Sequence, residues 1–249
     1  MIDVRNPVIV CGSGPSLLKV NPWLPGLPIC AVSTAIKTLY QLGNPKPTYW
    51  ALVDSLNVAH KPEGQEAAED ADIKKIVPST RRPQFKHYPN VEYVLRHTKH
   101  ATFLDDSPGL SRTQNRSMLF AIQWLIKFAK HDCLIFAGCD LKCPGGKAYA
   151  HKGKQRTKVA AKDGQHRAEF RHLSDWLPIA RDYGCTWLCW SPGSPLEGIM
   201  EVWSGRIWRT PDARSERIAH HGRVRDDRPD GEGAGASAAV HAVEGQPVA

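Results

Sequence analysis

A chain of 249 residues, 41% hydrophobic and 23% charged, is long enough for one large α/β domain or two small ones. That composition excludes collagen, a coiled coil and wholesale disorder, and no run of about 18 apolar residues predicts a transmembrane helix. The chain begins without a basic leader, and its seven cysteines form no regular framework. We therefore expect a cytoplasmic protein without a signal peptide.

The net charge of +8 is concentrated in one part of the sequence. Nine Lys and Arg residues lie between Lys142 and Arg171, against two acidic ones. This density indicates a polyanionic or phosphorylated ligand, nucleic acid among the candidates, and the alternative is a solvated surface loop. Residues 142–165 also contain four glycines and few apolar residues, so we expect a mobile, lid-like basic segment there.

Short apolar runs alternate with longer helical stretches, which is typical of a parallel sheet covered by helices. The prediction is an α/β, Rossmann-like open sheet, mostly parallel, with helices on both faces, in one domain over residues 1–209. Strands are predicted at 7–11, 28–32, 49–53, 73–77, 91–95, 133–137 and 186–190, and helices at 33–40, about 113–130 and about 167–183.

The last forty residues, 210–249, differ from the rest of the chain. They contain no aromatic residue and no apolar periodicity, and their net charge is −2. Such a segment cannot bury enough surface to offset its ordering entropy, so we predict a disordered tail. The basicity therefore belongs to the domain.

Polar residues follow the predicted strands at the points where the strands end. In open α/β sheets ligands bind outside the carboxyl ends of the strands, so these groups should converge on one crevice. They are Gly12, Ser13, Gly14, Pro15 and Ser16, then Ser33 and Thr34, then Asp54, Asp140 and Ser191.

The Gly12–Ser16 loop joins the first long strand to the next helix. Its glycines permit positive φ and a close approach of backbone N–H groups to a phosphate, and Ser16 can cap the helix. The loop fits neither the Walker pattern nor GxGxxG, and any tight turn between strand and helix favours Gly and Ser.

Two carboxylates end strands that are otherwise apolar. Asp54 and Asp140 are candidates to bind a ribose hydroxyl, to accept a substrate proton, or together to hold Mg²⁺. The alternative is that each caps the following segment.

The start of the long helix offers a further site. Ser111, Thr113 and Asn115 supply hydroxyl and amide groups where free N–H groups favour an anion, although they also suit a simple N-cap. His151 and His166 are the candidate general bases. A four-thiolate metal site from Cys139, Cys143, Cys185 and Cys189 is disfavoured, because buried free cysteine is common.

Several of these segments resemble one family. GSGPSL at residues 12–17 is similar to the GxGPSL opening shared by bacterial CMP-sialic-acid-dependent sialyltransferases, motility-associated glycosylation factors and 6-hydroxymethylpterin diphosphokinase-like proteins. Ser33–Thr34 and the Ser111 helix start with residues 134–140 resemble later motifs, and residues 184–196 resemble the end of phage-encoded members. The similarity covers about residues 7–197, and its first motif is the specific one.

The resemblance implies a Rossmann-like domain that binds a nucleotide donor. In the sialyltransferases a Tyr pair steadies the phosphate and a His beyond the Asp block acts as base, and Tyr149 and His151 lie in that region. Those enzymes carry Asn where this chain has Ser13, so the donor need not contain cytidine. The diphosphokinase-like members would use ATP and Mg²⁺, with Asp54 and Asp140 as ligands.

Together these observations predict a glycosyltransferase that uses a nucleotide sugar and acts on an acceptor hydroxyl. Two alternatives stay open: an ATP-dependent diphosphokinase, and a phage nucleic-acid-binding protein located in the host cytoplasm. The sequence chooses neither the acceptor nor the oligomeric state.

Overall fold

Eight parallel strands form one sheet. Their order across it is Glu201–Val202 (β11), Thr186–Trp190 (β10), Cys133–Ala137 (β9), Pro7–Cys11 (β2), Ile29–Val32 (β3), Tyr49–Ala51 (β4), Lys74–Pro78 (β5) and Val91–Val94 (β6). The computed structural model describes residues 3–23, 26–42, 46–53, 62–97, 103–104, 109–111, 116–142, 159–203 and 208–209. This architecture confirms the predicted Rossmann-like α/β class.

Helices cover both faces of this sheet, because neighbouring residues of a strand point to opposite sides. Val8 and Val10 pack in one core and Ile9 and Cys11 in the other. The first core is covered by α4 (Ser117–Lys127) and α5 (Val159–Asp182), and the second by α1 (Ala35–Gln41), α2 (Pro62–Glu69) and α3 (Arg82–Phe85).

Two pairs of short parallel strands lie beside the main sheet. One joins β1 (Asp3–Val4) to β12 (Trp208–Arg209), and the other joins β7 (Arg96–His97) to β8 (Leu110–Ser111). The sequence predicted neither pair, since two-residue strands carry no detectable periodicity.

Three helices differ from their predicted bounds. The helix α1 begins at Ala35 rather than at Ser33 and ends at Gln41. The helix α5 begins at Val159 rather than near 167, so residues 159–165 of the predicted lid-like segment are helical. The rest of that segment, 143–158, lies outside the described residues. The helix α4 begins at Ser117 and ends at Lys127, and Lys130, which was included in the prediction, has a φ of +59° that ends the helical path.

The order in which successive strands are added to the sheet changes direction at the boundary between β2 and β9. Strands β2 to β6 follow one another toward one edge, whereas β9 returns to the other side of β2 and leads on to β10 and β11. In open sheets this switch point opens a crevice at the carboxyl ends of the two strands.

The described residues all belong to the compact unit Met1–Thr210. The predicted tail, 210–249, lies outside them, and its disorder stays a prediction. Within the part of the chain that the structure describes, no helix combines the length and apolarity needed to cross a bilayer.

Candidate functional site

The loops that follow β2 and β9 are joined by hydrogen bonds at the switch point. The N–H of Gly12 donates to the carbonyl oxygen of Ala137 over 2.8 Å, and the N–H of Gly14 donates to that of Gly138, also over 2.8 Å. The pairing of the two strands thus continues into the loops. These two loops, Gly12–Ser16 and Gly138–Leu141, form the centre of the candidate site.

Their glycines are required by contact between the loops. A Cβ on Gly12 would lie 2.6 Å from the carbonyl oxygen of Gly138, and one on Gly14 would lie 2.6 Å from Asp140 Oδ2. Gly138 has a φ of +65°, and a Cβ there would lie 2.6 Å from Leu17 Cβ. The positive φ that glycine permits is not used in the Gly12–Ser16 loop, where Gly14 has a φ of −70°. The small residues allow the two loops to touch.

Asp140 is the polar residue that joins these loops most directly. Its Oδ2 accepts a 2.8 Å hydrogen bond from the backbone N–H of Ser16, and its side chain is buried, with 3% of the residue exposed. Asp140 Oδ1 and Ser16 Oγ are buried with no hydrogen-bond partner among the described residues. Asp140, predicted as a candidate catalytic residue, therefore fixes the position of the Gly12–Ser16 loop through this hydrogen bond.

Ser16 does not cap a helix as expected. The segment after the loop is a 3₁₀ helix, Pro15–Lys19, whose N-cap is Gly14. Ser16 lies inside that helix, so its hydroxyl is not at the N-cap position. The residues of this loop that a ligand can reach are the partly exposed Ser13, Gly14 and Pro15.

Ser191 and Ser194 follow β10, and their hydroxyl groups form hydrogen bonds with the backbone of the loop after β9. The hydroxyl of Ser191 donates to the carbonyl oxygen of Phe136 and accepts from the N–H of Cys139, both at 2.9 Å. The hydroxyl of Ser194 donates to the carbonyl oxygen of Cys139 over 2.8 Å. The predicted ligand-binding residue Ser191 is thus buried, and its hydroxyl is hydrogen-bonded to the protein's own backbone. Pro192 and Gly193, between the two serines, are exposed.

Ser33 and Thr34 lie at the carboxyl end of β3, as predicted. Ser33 adopts a φ of +50°, which is uncommon for a residue with a side chain, and its N–H donates to the carbonyl oxygen of Ala51 over 2.9 Å. Leu141, in the β9 loop, has a similar φ of +49°. Strained residues of this kind cluster at functional sites. Thr34 is the N-cap of α1, and its side chain makes no capping bond.

The N-terminus of α4 reaches the carboxyl end of β4. The hydroxyl of Ser117 accepts a 3.2 Å hydrogen bond from the N–H of Val53. Ser111 belongs to β8, and its side chain is outside the described set. Asp54, Thr113 and Asn115 lie outside the described residues.

One predicted base, His166, lies on α5 in a described position. It is buried, with 7% exposed. Its neighbour Gln165 accepts a hydrogen bond from Arg116 Nη1, which ties this part of α5 to the start of α4 and hence to the carboxyl edge. His151 and Tyr149 lie outside the described residues.

Among the side chains that the structure describes, no group of three or more His, Cys, Asp and Glu residues is placed to hold a metal ion. Asp140 would need Asp54, outside the described residues, to hold Mg²⁺. Of the disfavoured four-thiolate set, Cys139, Cys185 and Cys189 are buried and free, and burial raises the pKa of the Cys185 thiol to about 12. Cys143 lies outside the described set.

Arg81 is the residue of this edge that sequence reasoning missed. It follows β5 in the 3₁₀ helix Ser79–Arg81, and its Nε donates to the carbonyl oxygen of Val53 over 3.4 Å. The available signal was the polar run Ser79–Thr80–Arg81 directly after an apolar strand.

No protein-family model and no curated protein matches this chain. Among solved structures, the MAf glycosyltransferase from Magnetospirillum magneticum AMB-1 is similar with a TM-score of 0.46 and 17% identity. The similarity covers 87% of this chain, which spans only 37% of that protein. The sialyltransferase CstII from Campylobacter jejuni, in complex with cytidine-5'-monophosphate (CMP), is similar with a TM-score of 0.47 and 12% identity, over 88% of this chain and 98% of that one.

Proposed function

We propose that this protein is a transferase that binds a nucleotide-activated donor, most simply a nucleotide sugar, and moves the glycosyl group to an acceptor hydroxyl. The observation that carries the proposal is the junction of the Gly12–Ser16 and Gly138–Leu141 loops at the switch point between β2 and β9. That is where open α/β sheets bind nucleotides. The GSGPSL motif, with its resemblance to nucleotide-using transferases, supports the same assignment.

In this proposal the donor lies along the carboxyl edge of the sheet. The partly exposed Ser13, Gly14 and Pro15 face its phosphate, and the start of α4 supplies N–H groups for the phosphate and ribose. Ser33 and Thr34 offer hydroxyls beside β3. Asp140 acts indirectly, because its carboxylate fixes the loop that carries these groups.

Transfer to a hydroxyl needs a base for the proton that the acceptor loses. We assign this role to His166 among the described residues, because the adjacent Gln165 accepts a hydrogen bond from Arg116 at the start of α4. The leaving nucleotide gains negative charge as the glycosyl bond breaks. We propose that Lys142, which follows the β9 loop, and the basic residues after it stabilise that charge.

Thermal unfolding with a panel of nucleotides tests the proposal. The panel contains CMP, CMP- and UDP-sugars and ATP, each at millimolar concentration. A true donor at about 100 times its Kd should stabilise the fold by about 2.7 kcal/mol and raise Tm by roughly 5–10 °C. No increase in Tm with any of these nucleotides would overturn the proposal.

Chelation separates this function from the ATP-dependent diphosphokinase alternative. Glycosyl transfer by protein groups should continue in excess EDTA, whereas diphosphoryl transfer requires Mg²⁺ to bridge the phosphates. Donor turnover that depends absolutely on Mg²⁺ and is specific for ATP would favour the diphosphokinase.

A further inference from the structure

Ser33, directly after β3, has a backbone conformation that residues with side chains seldom adopt. Its φ of +50° lies in the left-handed region, where a Cβ atom is crowded by the neighbouring carbonyl oxygen. Glycine and asparagine tolerate that region better than serine does. Such a conformation persists where surrounding contacts impose it, so the contacts of Ser33 identify the residue responsible.

Two hydrogen bonds from β4 hold Ser33. Its N–H donates to the carbonyl oxygen of Ala51 over 2.9 Å, and its own carbonyl oxygen accepts the indole Nε1–H of Trp50, also over 2.9 Å. The first bond continues the pairing of β3 with β4, in which Val32 lies opposite Ala51, and it joins backbone atoms that every sequence carries. The second bond needs the indole of Trp50, so it is the contribution that this sequence makes.

The indole of Trp50 has little freedom to move. Trp50 is 0% exposed and lies in the core that α1, α2 and α3 cover. A buried indole N–H requires an acceptor, and the carbonyl oxygen of Ser33 fills that role. If Ser33 turned to a negative φ, its carbonyl would be reoriented and the indole N–H would lose this acceptor. Trp50 therefore opposes a change of Ser33 out of the left-handed conformation.

Ser33 lies beside the loop that the donor contacts in the proposed function. Cys11 of β2 pairs with Ala31 of β3, so Ser13 and Ser33 each lie two residues beyond the same pair. The two strands are neighbours, about 4.8 Å apart. Both serines are partly exposed. The direction of the Ser33 side chain therefore bears on the surface that a donor would meet.

We propose that Trp50 is a positioning residue of the donor site. Its indole N–H holds Ser33 in the left-handed conformation, and this sets the direction in which the Ser33 hydroxyl meets the donor. The inference rests on the proposed function and adds to it a buried residue that acts only through Ser33. Substitutions of Trp50 and Ser33 should therefore be non-additive in their effect on donor binding.

NMR tests the conformational step without any nucleotide. A positive φ brings the amide proton and the Hα of one residue close together, so Ser33 should give a strong intraresidue NOE between them in the wild type. Trp50→Phe keeps a buried ring and removes the N–H, and the NOE should weaken. The control is Trp203→Phe, because Trp203 is buried in the same core and its Nε1 has no hydrogen-bond partner in the described part of the chain. A weak NOE in the wild type, or an equally strong one in Trp50→Phe, would overturn the proposal.

A double-substitution cycle tests the step from Ser33 to the donor. The probe is CMP or, if CMP does not bind, the nucleotide of the thermal panel that raises Tm most, titrated by calorimetry into the wild type, Trp50→Phe, Ser33→Ala and the double variant. Loss of one neutral hydrogen bond should weaken binding about three- to tenfold in each single variant, and the double variant should bind no more weakly than Ser33→Ala.

The control Trp203→Phe should bind the probe as the wild type does. Unchanged affinity in Trp50→Phe, additive losses in the double variant, or equal weakening in Trp203→Phe would overturn the positioning role. If no nucleotide of the panel binds the wild type, the proposed function is overturned instead, and the NOE still decides whether Trp50 holds Ser33.

Discussion

The backbone N–H of Ser16 donates to Asp140 Oδ2 over 2.8 Å, although 124 residues separate the two in sequence. The bond joins the loop after β2 to the loop after β9, and both residues are buried. A carboxylate in this position determines the shape of the loop that would face a nucleotide.

Removing the Asp140 carboxylate should destabilise the protein and weaken nucleotide binding together. Asp140→Ala leaves the buried N–H of Ser16 without an acceptor, which costs about 1–3 kcal/mol in the free energy of unfolding. Asp140→Asn retains an amide oxygen and should lose less. Denaturant unfolding and nucleotide titration measure the two effects.

Asp132 provides the matched control. Its two carboxylate oxygens accept the N–H groups of Arg5 and Asn6, at 2.8 and 2.9 Å, at the opposite end of the same strands. Asp132→Ala should lower stability without lowering nucleotide affinity once the protein is folded. Abolished turnover in a stable, nucleotide-binding Asp140→Asn variant would instead assign chemistry to Asp140.

The contact between the loops makes Gly12 and Gly14 intolerant of a methyl group. Alanine at either position would bring Cβ within 2.6 Å of Gly138 O or Asp140 Oδ2, and we expect a loss of about 1–3 kcal/mol. Gly164, on α5, has no atom within 4 Å of its Cβ position, so Gly164→Ala should be neutral or stabilise by about 0.5–1 kcal/mol. Chemical denaturation of the three variants checks this order, and an equally tolerated Gly12→Ala would refute the close approach.

The role proposed for His166 predicts a loss of rate without a loss of donor binding. His166→Ala should lower the transfer rate about 10²- to 10⁴-fold and change donor affinity little. His172→Ala is the control on the same helix, with an imidazole whose pKa is lowered chiefly by burial and further by Arg116. Comparable rate losses in both variants would indicate a structural effect of α5 and remove His166 from the mechanism.

His131, at the amino end of β9, should make stability depend on pH. Its Nδ1–H donates to the carbonyl oxygen of Asn6 over 2.9 Å, and burial lowers the pKa of the imidazole below its usual 6.5. The folded protein therefore binds fewer protons than the unfolded chain between the lowered pKa and about pH 6.5, and stability is lost as pH falls through that range. The slope from this group is at most about 1.4 kcal/mol per pH unit.

Unfolding from pH 8 to pH 5 in the wild type and in His131→Gln isolates this contribution. The difference in unfolding free energy between the two proteins should be constant above about pH 7 and shrink as the pH falls further. A difference that does not change with pH would show that His131 keeps its ordinary pKa in the folded protein.

The sheet was predictable because its strands are continuous apolar runs that end in Gly, Ser or Asp. The runs at 7–11 and 133–137 became β2 and β9 with the predicted bounds. The start of α5 was not predictable, because residues 159–165, VAAKDGQ, carry too few apolar side chains to mark a helical face.

The polar residues of the edge were predictable in position, but their partners were not. The sequence places Gly12 and Asp140 at strand ends, yet it cannot show that the loop glycines serve contact with Gly138 or that Asp140 binds Ser16. Those relationships depend on β9 returning beside β2, which is a property of the topology. Arg81 was missed because the predicted strand before it, 73–77, contains Lys74 and Lys75 and is not a continuous apolar run.

Nucleotide binding at the junction of the β2 and β9 loops is tested most directly by backbone amide NMR of the full chain. With the nucleotide that raises Tm most, the amide signals of Ser13, Gly14 and the Gly138–Leu141 loop should shift and saturate. Those of Arg5, Asn6 and Asp132 at the amino end of the sheet should stay unchanged. Shifts confined to the amino end, or no shift with any nucleotide at millimolar concentration, would contradict the assignment of this edge as the donor site.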